Sequence, residues 1–326
     1  MVKKHLITGI RGQDGLFLSS YILDKNEKHE IIGISRNSTV DLFFKKLKYL
    51  NQNAFLENIN VVNVDIRDKF AVNNLISDFE PDYIYNLSGP SSVYKSLVDD
   101  NLTYRTITTI FNNIVDSVIK NNLKCNIFQA SSSEMFDKSH KPLNENSSLK
   151  PRSPYAEAKL RIHESIQDLK SHEFLNISSG IMFNHESEFR DEEYLIMKII
   201  NAAANIRNEK SETLTVGSLD LIRDWSYAGD VAEAIYQINK QNNSEDYVIG
   251  SGQGNTIRNI VEIVFNYFGI GWEEFVNEDP TFLRSGDPKS IISDPSKINN
   301  ELGWRTKISL EEILIKCVKK FYPNID

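Results

Sequence analysis

Apolar residues along this chain fall into two periods. Continuous runs at residues 5–8, 30–34, 59–64, 81–87 and 125–130 have the length of buried strands. Between them the apolar positions recur at helical spacing, first at Leu16, Phe17, Leu18, Tyr21, Ile22 and Leu23, and later across residues 101–122. Strands alternating with helices predict an α/β fold: a doubly wound parallel sheet, with ligands outside the carboxyl ends of its strands.

Beyond residue 175 the alternation is less regular. Strands are expected near 175–179 and 246–250, and helices over 194–207, 229–239, 256–268 and 309–321, with 271–290 irregular. There is no internal repeat, low-complexity tract or long linker. The pattern divides the chain into a first domain over 1–178, with returning elements about 215–250, and a smaller substrate-side lid from 179–214 and 251–326.

Composition narrows the function classes. With 40% hydrophobic and 25% charged residues the chain is of ordinary globular type. A net charge of −8 with no basic run excludes a nucleic-acid partner. No apolar run approaches membrane-spanning length, and the N-terminus enters a strand without a signal-peptide pattern. Cys125 and Cys317 are far apart, which suits a reducing compartment and offers no metal spacing. The expectation is a cytoplasmic protein with a small-molecule partner, no membrane partner and no metal.

The candidate chemistry begins where the first run ends. Thr8-Gly9-Ile10-Arg11-Gly12-Gln13-Asp14-Gly15 is a glycine-bearing turn between a strand and a helix. Gly9 permits the tight turn, Gly12 lets backbone approach a pyrophosphate, and Gly15 lets the helix pack closely. The spacing is Gly-x-x-Gly-x-x-Gly, and the reading is dinucleotide binding. The second strand ends in Ser35-Arg36, with no acid for a ribose 2′-hydroxyl. An Arg there suits a 2′-phosphate, so NADP is favoured over NAD; the alternative is a solvated loop charge. Asp65, followed by Ile66, is placed either to accept from an adenine amino group or to cap a helix. Residues 88–92 form a small-residue turn suited to passing beneath a cofactor. Ser132 and Glu134 follow the fifth strand. Tyr155 and Lys159 lie four apart on a helix starting after Pro154, hence on one face. A nearby ammonium stabilises phenolate, so the Tyr155 pKa is expected to fall.

Together these segments resemble the extended short-chain dehydrogenase/reductases that act on nucleotide sugars, and within them the GDP-mannose 4,6-dehydratase family. The resemblance spans nearly the whole chain. Gly12-Gln13-Asp14-Gly15, Pro151-Arg152-Ser153-Pro154-Tyr155 and Asn184-His185-Glu186-Ser187 are its more specific motifs; Gln129-Ala130-Ser131-Ser132-Ser133-Glu134 and Arg223-Asp224-Trp225 support them. It implies a redox-neutral dehydration through NADP, with Ser132, Glu134, Tyr155 and Lys159 as the catalytic set. It also implies that Thr8, Gly9, Gly12, Gln13, Asp14, Gly15, Arg36, Asp65, Ile66, Leu87, Ser88, Ser91, His185 and Arg190, with Tyr155 and Lys159, hold the cofactor. Ser92, Asn184, Lys198, Arg223 and Arg284 would hold a GDP-linked sugar. The family further implies a homodimer or homotetramer.

Departures from the family pattern cluster around the sugar pocket and the assembly surface. They are Gly89-Pro90-Ser91-Ser92, Met135-Phe136-Asp137, Ser35 before Arg36, Met197, and a short segment ahead of Arg284. The expected sugar is therefore mannose or a relative such as a heptose. A 4-epimerase on the same frame would need Tyr155 and Lys159 but no base for C5, so Glu134 discriminates against it; a 4-reductase there would use other groups at C3 and C5, which the sequence does not place. A non-catalytic NADP-binding protein is the remaining alternative.

Overall fold

The computed structural model describes residues 1–36, 39–51, 55–90, 96, 99–137, 142–170, 175–208, 213–283 and 288–323. In chain order the strands are β1 (Lys3–Thr8), β2 (His29–Ser35), β3 (Ile59–Asn63), β4 (Tyr83–Asn86), β5 (Asn126–Ser132), β6 (Asn176–Met182), β7 (Asn184–Glu186), β8 (Leu214–Val216), β9 (Ile222–Tyr227), β10 (Asp246–Ile249), β11 (Gly254–Thr256), β12 (Val276–Glu278) and β13 (Ser290–Ile291). A seven-stranded sheet runs in the order β3-β2-β1-β4-β5-β6-β10, with every neighbouring pair parallel. This is the doubly wound sheet that the hydrophobic runs predict. The order reverses between β1 and β4, and that switch point opens the crevice in which such sheets bind ligands.

Both faces of the sheet are covered, which is why its strands read as continuous apolar runs. Helices Gln13–Leu23, Asp41–Leu50 and Ala228–Asn239 bury Leu16, Phe43 and Val231 on one side. Helices Lys69–Phe79, Asp100–Lys120 and Pro154–Leu169 bury Val72, Ile107 and Ile162 on the other. A second core lies where helices Leu195–Arg207, Ile257–Tyr267 and Leu310–Phe321 meet around Ile200, Val261, Phe265 and Leu314. The last helix starts at a capping box made by Ser309 and Glu312. Of the segment about 215–250, helix Ala228–Asn239 packs on the large sheet and β10 joins it. Strand β9 lies instead in a small sheet with β7, β11 and β13.

Some elements differ from the sequence pattern. Residues 271–290 hold β12, a 3-10 turn at Pro280–Phe282 and the first residue of β13. Strands of two or three residues are too short to show a period. Ser131 and Ser132, expected in a loop, are the last residues of β5, buried by pairing with β6. No helix among the described residues is long and apolar enough to cross a membrane.

One buried cluster in the sheet is ionisable. His5 Nε2 lies 2.9 Å from His29 Nδ1, and the His5 ring stacks on Tyr83, with centroids 5.1 Å apart. Burial pulls the His5 pKa from 6.5 to about 3, with repulsion from His29, Lys240 and Lys3 added. Burial also lowers His29, against the charge of Glu27. The native state thus keeps His5 neutral and disfavours charge on His29, while the unfolded chain takes up protons below about pH 6.5. The His5 contribution to stability is full above that pH and is lost as the pH falls, by up to ~1.4 kcal/mol per pH unit, and His29 acts in the same direction. Urea midpoints between about pH 7 and pH 5 are expected to fall in the wild type. They should fall less steeply in His5→Phe; an unchanged slope would exclude this pair as the source.

Candidate active site

The glycine turn forms as its spacing predicts, for reasons visible in the backbone. Gly9 has φ of +69°, and a Cβ there would lie 3.0 Å from the Leu87 carbonyl oxygen. A Cβ on Gly15 would come within 2.5 Å of Ile10 Cα, so only glycine lets the helix pack onto the turn. Gly12 is the N-cap of helix Gln13–Leu23 and provides no side-chain cap. The first-turn N–H groups are therefore left for an anion at the positive end of the helix dipole.

These amides open on a cleft of about 610 Å³. Its walls include Gly9, Gly12, Gln13, Asp14 and Gly15, with Arg36, Asp65, Ile66, Leu87, Ser88 and Arg190. Arg11, Lys46 and Arg67, which sequence reasoning missed, also line it. Their signal was only a basic residue beside a motif, and such residues are usually solvated. The donor set suits a dinucleotide: cations and free helix amides for phosphates, apolar Ile34 and Ile66 for a flat ring.

Several predicted side chains do something other than reach into the cleft. The Asp65 carboxylate accepts from Arg67 at 2.5 and 2.9 Å, and that hydrogen bonding draws its pKa down to about 2. Arg36 also acts on Asp65 through its charge. Gln13 accepts from Ser187 Oγ at 2.7 Å and donates to the His185 carbonyl at 3.2 Å. Asp14 Oδ1 lies 2.9 Å from His185 Nε2, while His185 Nδ1 meets the Phe183 carbonyl. Burial alone draws the His185 pKa down. The Asp14 charge and hydrogen bond outweigh it and hold His185 above its ordinary value, while the same pair holds Asp14 below its own. The Gly-Gln-Asp-Gly and Asn-His-Glu-Ser motifs are thus the two halves of one seam. Arg190 Nε is 3.2 Å from Glu186 Oε2, an ion pair poorly aligned as a hydrogen bond, and its guanidinium lies 3.5 Å over the Tyr194 ring.

The expected acid–base set assembles at the end of β5. Ser153 caps helix Pro154–Leu169 by accepting from Ala156 N at 3.2 Å, with Pro154 in its first turn. That start places Tyr155 and Lys159 on the buried face, with Lys159 Nζ 5.6 Å from the Tyr155 ring centroid. Ser132 hydrogen-bonds the Tyr155 side chain and accepts from the Glu134 N–H at 3.3 Å. Lys159 Nζ donates to the Ala130 carbonyl at 2.7 Å.

The pKa values depart from the sequence expectation. Burial pushes Tyr155 up to about 12, with the Ser132 hydrogen bond opposing and the charges of Glu134 and Asp14 adding to the rise. Burial pulls Lys159 down to about 8, opposed by Asp14. Helical spacing set the pair face to face, but the low dielectric of the site penalises charge on both.

The candidate sugar-side residues lie further out. Asn184 in β7 and Lys198 are exposed. Arg223 donates to the Ile222 and Pro288 carbonyls at 2.8 and 3.1 Å. Its neighbour Asp224 is buried and accepts from the backbone N–H groups of Ser251, Gly252 and Ser293, tying β9 to the segments around it. Ser91, Ser92 and Arg284 lie outside the described residues.

A sequence profile described as GDP-mannose 4,6 dehydratase matches residues 6–317. The chain belongs to that family. It is 30% identical over 318 residues to GDP-mannose 4,6 dehydratase 2 of Arabidopsis thaliana, covering 95% of this chain and 84% of that one. It is also 30% identical over 353 residues to the GDP-mannose 4,6-dehydratase of Yersinia enterocolitica, covering 97% and 93%. Solved structures share the fold at lower identity. A UDP-glucose 4-epimerase of Thermotoga maritima superposes with a TM-score of 0.82 at 21% identity, over 99% of this chain and 100% of that one. One of Stenotrophomonas maltophila with bound NAD reaches 0.85 at 19%, over 98% and 97%. The RMD of Pseudomonas aeruginosa with NADPH reaches 0.81 at 17%, over 99% and 100%. The chain is thus an extended short-chain dehydrogenase/reductase of the GDP-mannose dehydratase family.

Proposed function

We propose that this protein is a nucleotide-sugar 4,6-dehydratase that converts GDP-mannose, or a related GDP-sugar such as a GDP-heptose, to its 4-keto-6-deoxy form. The observation that carries this reading is Glu134 in the turn that ends β5, where its N–H donates to Ser132 Oγ, the hydroxyl that hydrogen-bonds Tyr155. A base there serves elimination and has no task in a 4-epimerase. Tyr155 takes the proton of the sugar 4-hydroxyl, with Lys159 beside it and Ser132 holding the 4-oxygen. A dinucleotide held at Gly9, Gly12, Gly15 and Arg36 would supply a nicotinamide that stores the hydride between oxidation at C4 and reduction at C6. Glu134 removes the C5 proton, made acidic by the new ketone, and passes it to the C6 hydroxyl, which leaves as water; the proton that Tyr155 took from the 4-hydroxyl balances the one that C5 regains as hydride reaches C6. The sum is loss of one water with no net oxidation.

NADP is favoured as the cofactor. Arg36 and Arg67 both act on Asp65 at the end of the cleft where β2 and β3 terminate, and β2 ends without an acid. Paired guanidinium groups suit a 2′-phosphate. Asn184, Lys198 and Arg223 are assigned to the nucleotide diphosphate, residues 179–214 and 251–326 to the substrate side, and the assembly to two or four copies, which light scattering checks.

The test is incubation of the purified protein with GDP-mannose, with NADP or NAD, followed by NMR. Loss of the C6 hydroxymethyl and gain of a methyl doublet is the expected result, with NADP binding at least about tenfold tighter than NAD. A protein that binds NADP but yields neither a C6 methyl from GDP-mannose nor a C6 methylene from any GDP-heptose would sink the dehydratase reading.

A further inference from the structure

A line of buried polar side chains crosses the sheet where the apolar pattern predicts none. Leu87 N and Ser88 N each donate to Thr8 Oγ1 at 3.1 Å. Thr8 Oγ1 donates to Asn86 Oδ1 at 3.0 Å, and Asn86 Nδ2 donates to Gln129 Oε1 at 2.7 Å. Gln129 Nε2 donates to the Ala130 carbonyl at 2.7 Å, and Lys159 Nζ donates to that same carbonyl at 2.7 Å. Thr8, Asn86 and Gln129 are each no more than 2% exposed.

The direction of every bond in this line is forced. Ala130 O can only accept, so Gln129 must turn its amide nitrogen toward it and its oxygen toward Asn86. Asn86 must then present its oxygen to Thr8, whose own oxygen is left to accept from the two backbone N–H groups. Buried amides that satisfy one another in this way are costly to disturb, because each lost partner leaves a polar group unpaired away from water. The line contains no group that titrates near neutrality before Lys159, so it carries no proton. It transmits position. One end is the turn at Leu87 and Ser88, which lines the dinucleotide cleft; the other is the ammonium beside Tyr155.

We propose that Gln129 is a positioning residue for the acid–base pair, holding the Ala130 carbonyl, and through it Lys159, in register with the cofactor turn. Two features make Gln129 the critical link. It is the one member that shares an acceptor with Lys159, so its amide confines the ammonium to one side of the carbonyl. It is also neutral. A carboxylate in its place would put a charge beside the ammonium and compete with Tyr155 for it. This inference rests on the dehydratase reading for its kinetic consequence, but not for its effect on Lys159.

The test uses Gln129→Met and the nearly isosteric Gln129→Glu in the full chain. Competitive acetylation with acetic anhydride, read by mass spectrometry as a function of pH, reports the Lys159 pKa with no substrate present. Gln129→Glu is expected to raise that pKa by at least about one unit, through the added negative charge. Gln129→Met is expected to lower kcat by about tenfold or more with the KM for GDP-sugar and the Kd for NADP within about threefold. The basic limb of the kcat–pH profile should move up in Gln129→Glu together with the Lys159 titration. A Lys159 pKa unmoved in Gln129→Glu would overturn the proposal, whether or not the protein turns over any sugar. So would a Gln129→Met protein that loses thermal stability but keeps wild-type kcat in its folded fraction. If the wild type turns over no GDP-sugar, the functional reading fails while the Lys159 titration still decides this one.

Discussion

Replacing Tyr155 by Phe is expected to lower turnover of the GDP-sugar by about 10²–10⁴-fold, the usual contribution of a positioned general base. The phenol is 8% exposed and is the group proposed to take the 4-hydroxyl proton. Neither Ser132 nor Lys159 stands in for it, because Ser132 carries no usable base and Lys159 is bound to the Ala130 carbonyl. The substitution removes one oxygen from a side chain that belongs to the same buried cluster as Ile107 and Ile162, so the fold is expected to persist. Affinity for NADP should stay within about threefold, since the glycine turn and its cations are untouched. The decisive readout is single turnover: Tyr155→Phe should show no near-ultraviolet band of reduced nicotinamide, because the first oxidation never starts. A variant that forms the band at the wild-type rate would remove Tyr155 from the mechanism. The pH dependence has a definite sign. A base that burial holds protonated must lose its proton to act, so the rate of the first oxidation should rise with pH through the neutral range in the wild type.

Replacing Glu134 by Gln should give the opposite signature at a similar cost in overall turnover, about 10²–10⁴-fold. The amide keeps the shape of the side chain and its backbone bond to Ser132, but cannot take the C5 proton. The first oxidation should survive. It is expected to become easier, since the Glu134 charge is one of the influences that raise the Tyr155 pKa and its loss lets that pKa fall. The reduced-nicotinamide band should therefore build up and persist, no methyl doublet should form, and exchange of the C5 proton with deuterated water should stop. If Glu134→Gln yields product at the wild-type rate, elimination uses another base and the choice of dehydratase over 4-epimerase loses its support. The two variants cross: one blocks the reaction before hydride leaves the sugar, the other after.

How much of this was legible in the chain depends on the range of the interaction involved. The parallel sheet was legible because residues buried on both faces must be apolar, and a crossover helix must show a stripe. The short strands β12 and β13 were not, because two or three residues carry no period. Among site residues, Gly9, Gly12 and Gly15 were readable because a local backbone conformation or close approach admits only glycine. Tyr155 and Lys159 were readable because four residues along a helix is a fixed displacement. Arg67 was not, since it falls in no spacing that local geometry explains; Gln129 stood in a motif of the family, but its partners Asn86 and Lys159 are distant in the chain, so its role was not readable.

The sequence by itself therefore determined the sheet, the glycine turn, the shared face of Tyr155 and Lys159, and the family. Each rests on contacts between residues near in the chain or on a repeated pattern of burial. Only the tertiary structure decided where the polar side chains are used. Gln13 and Asp14 reach Ser187 and His185 across more than 170 positions, and Gln129 links Asn86 to the carbonyl that holds Lys159. It also decided the ionisation of the site, in the direction opposite to that implied by the Tyr-x-x-x-Lys spacing alone. The spacing brings an ammonium to a phenol, but desolvation by the surrounding fold sets the larger energy for both.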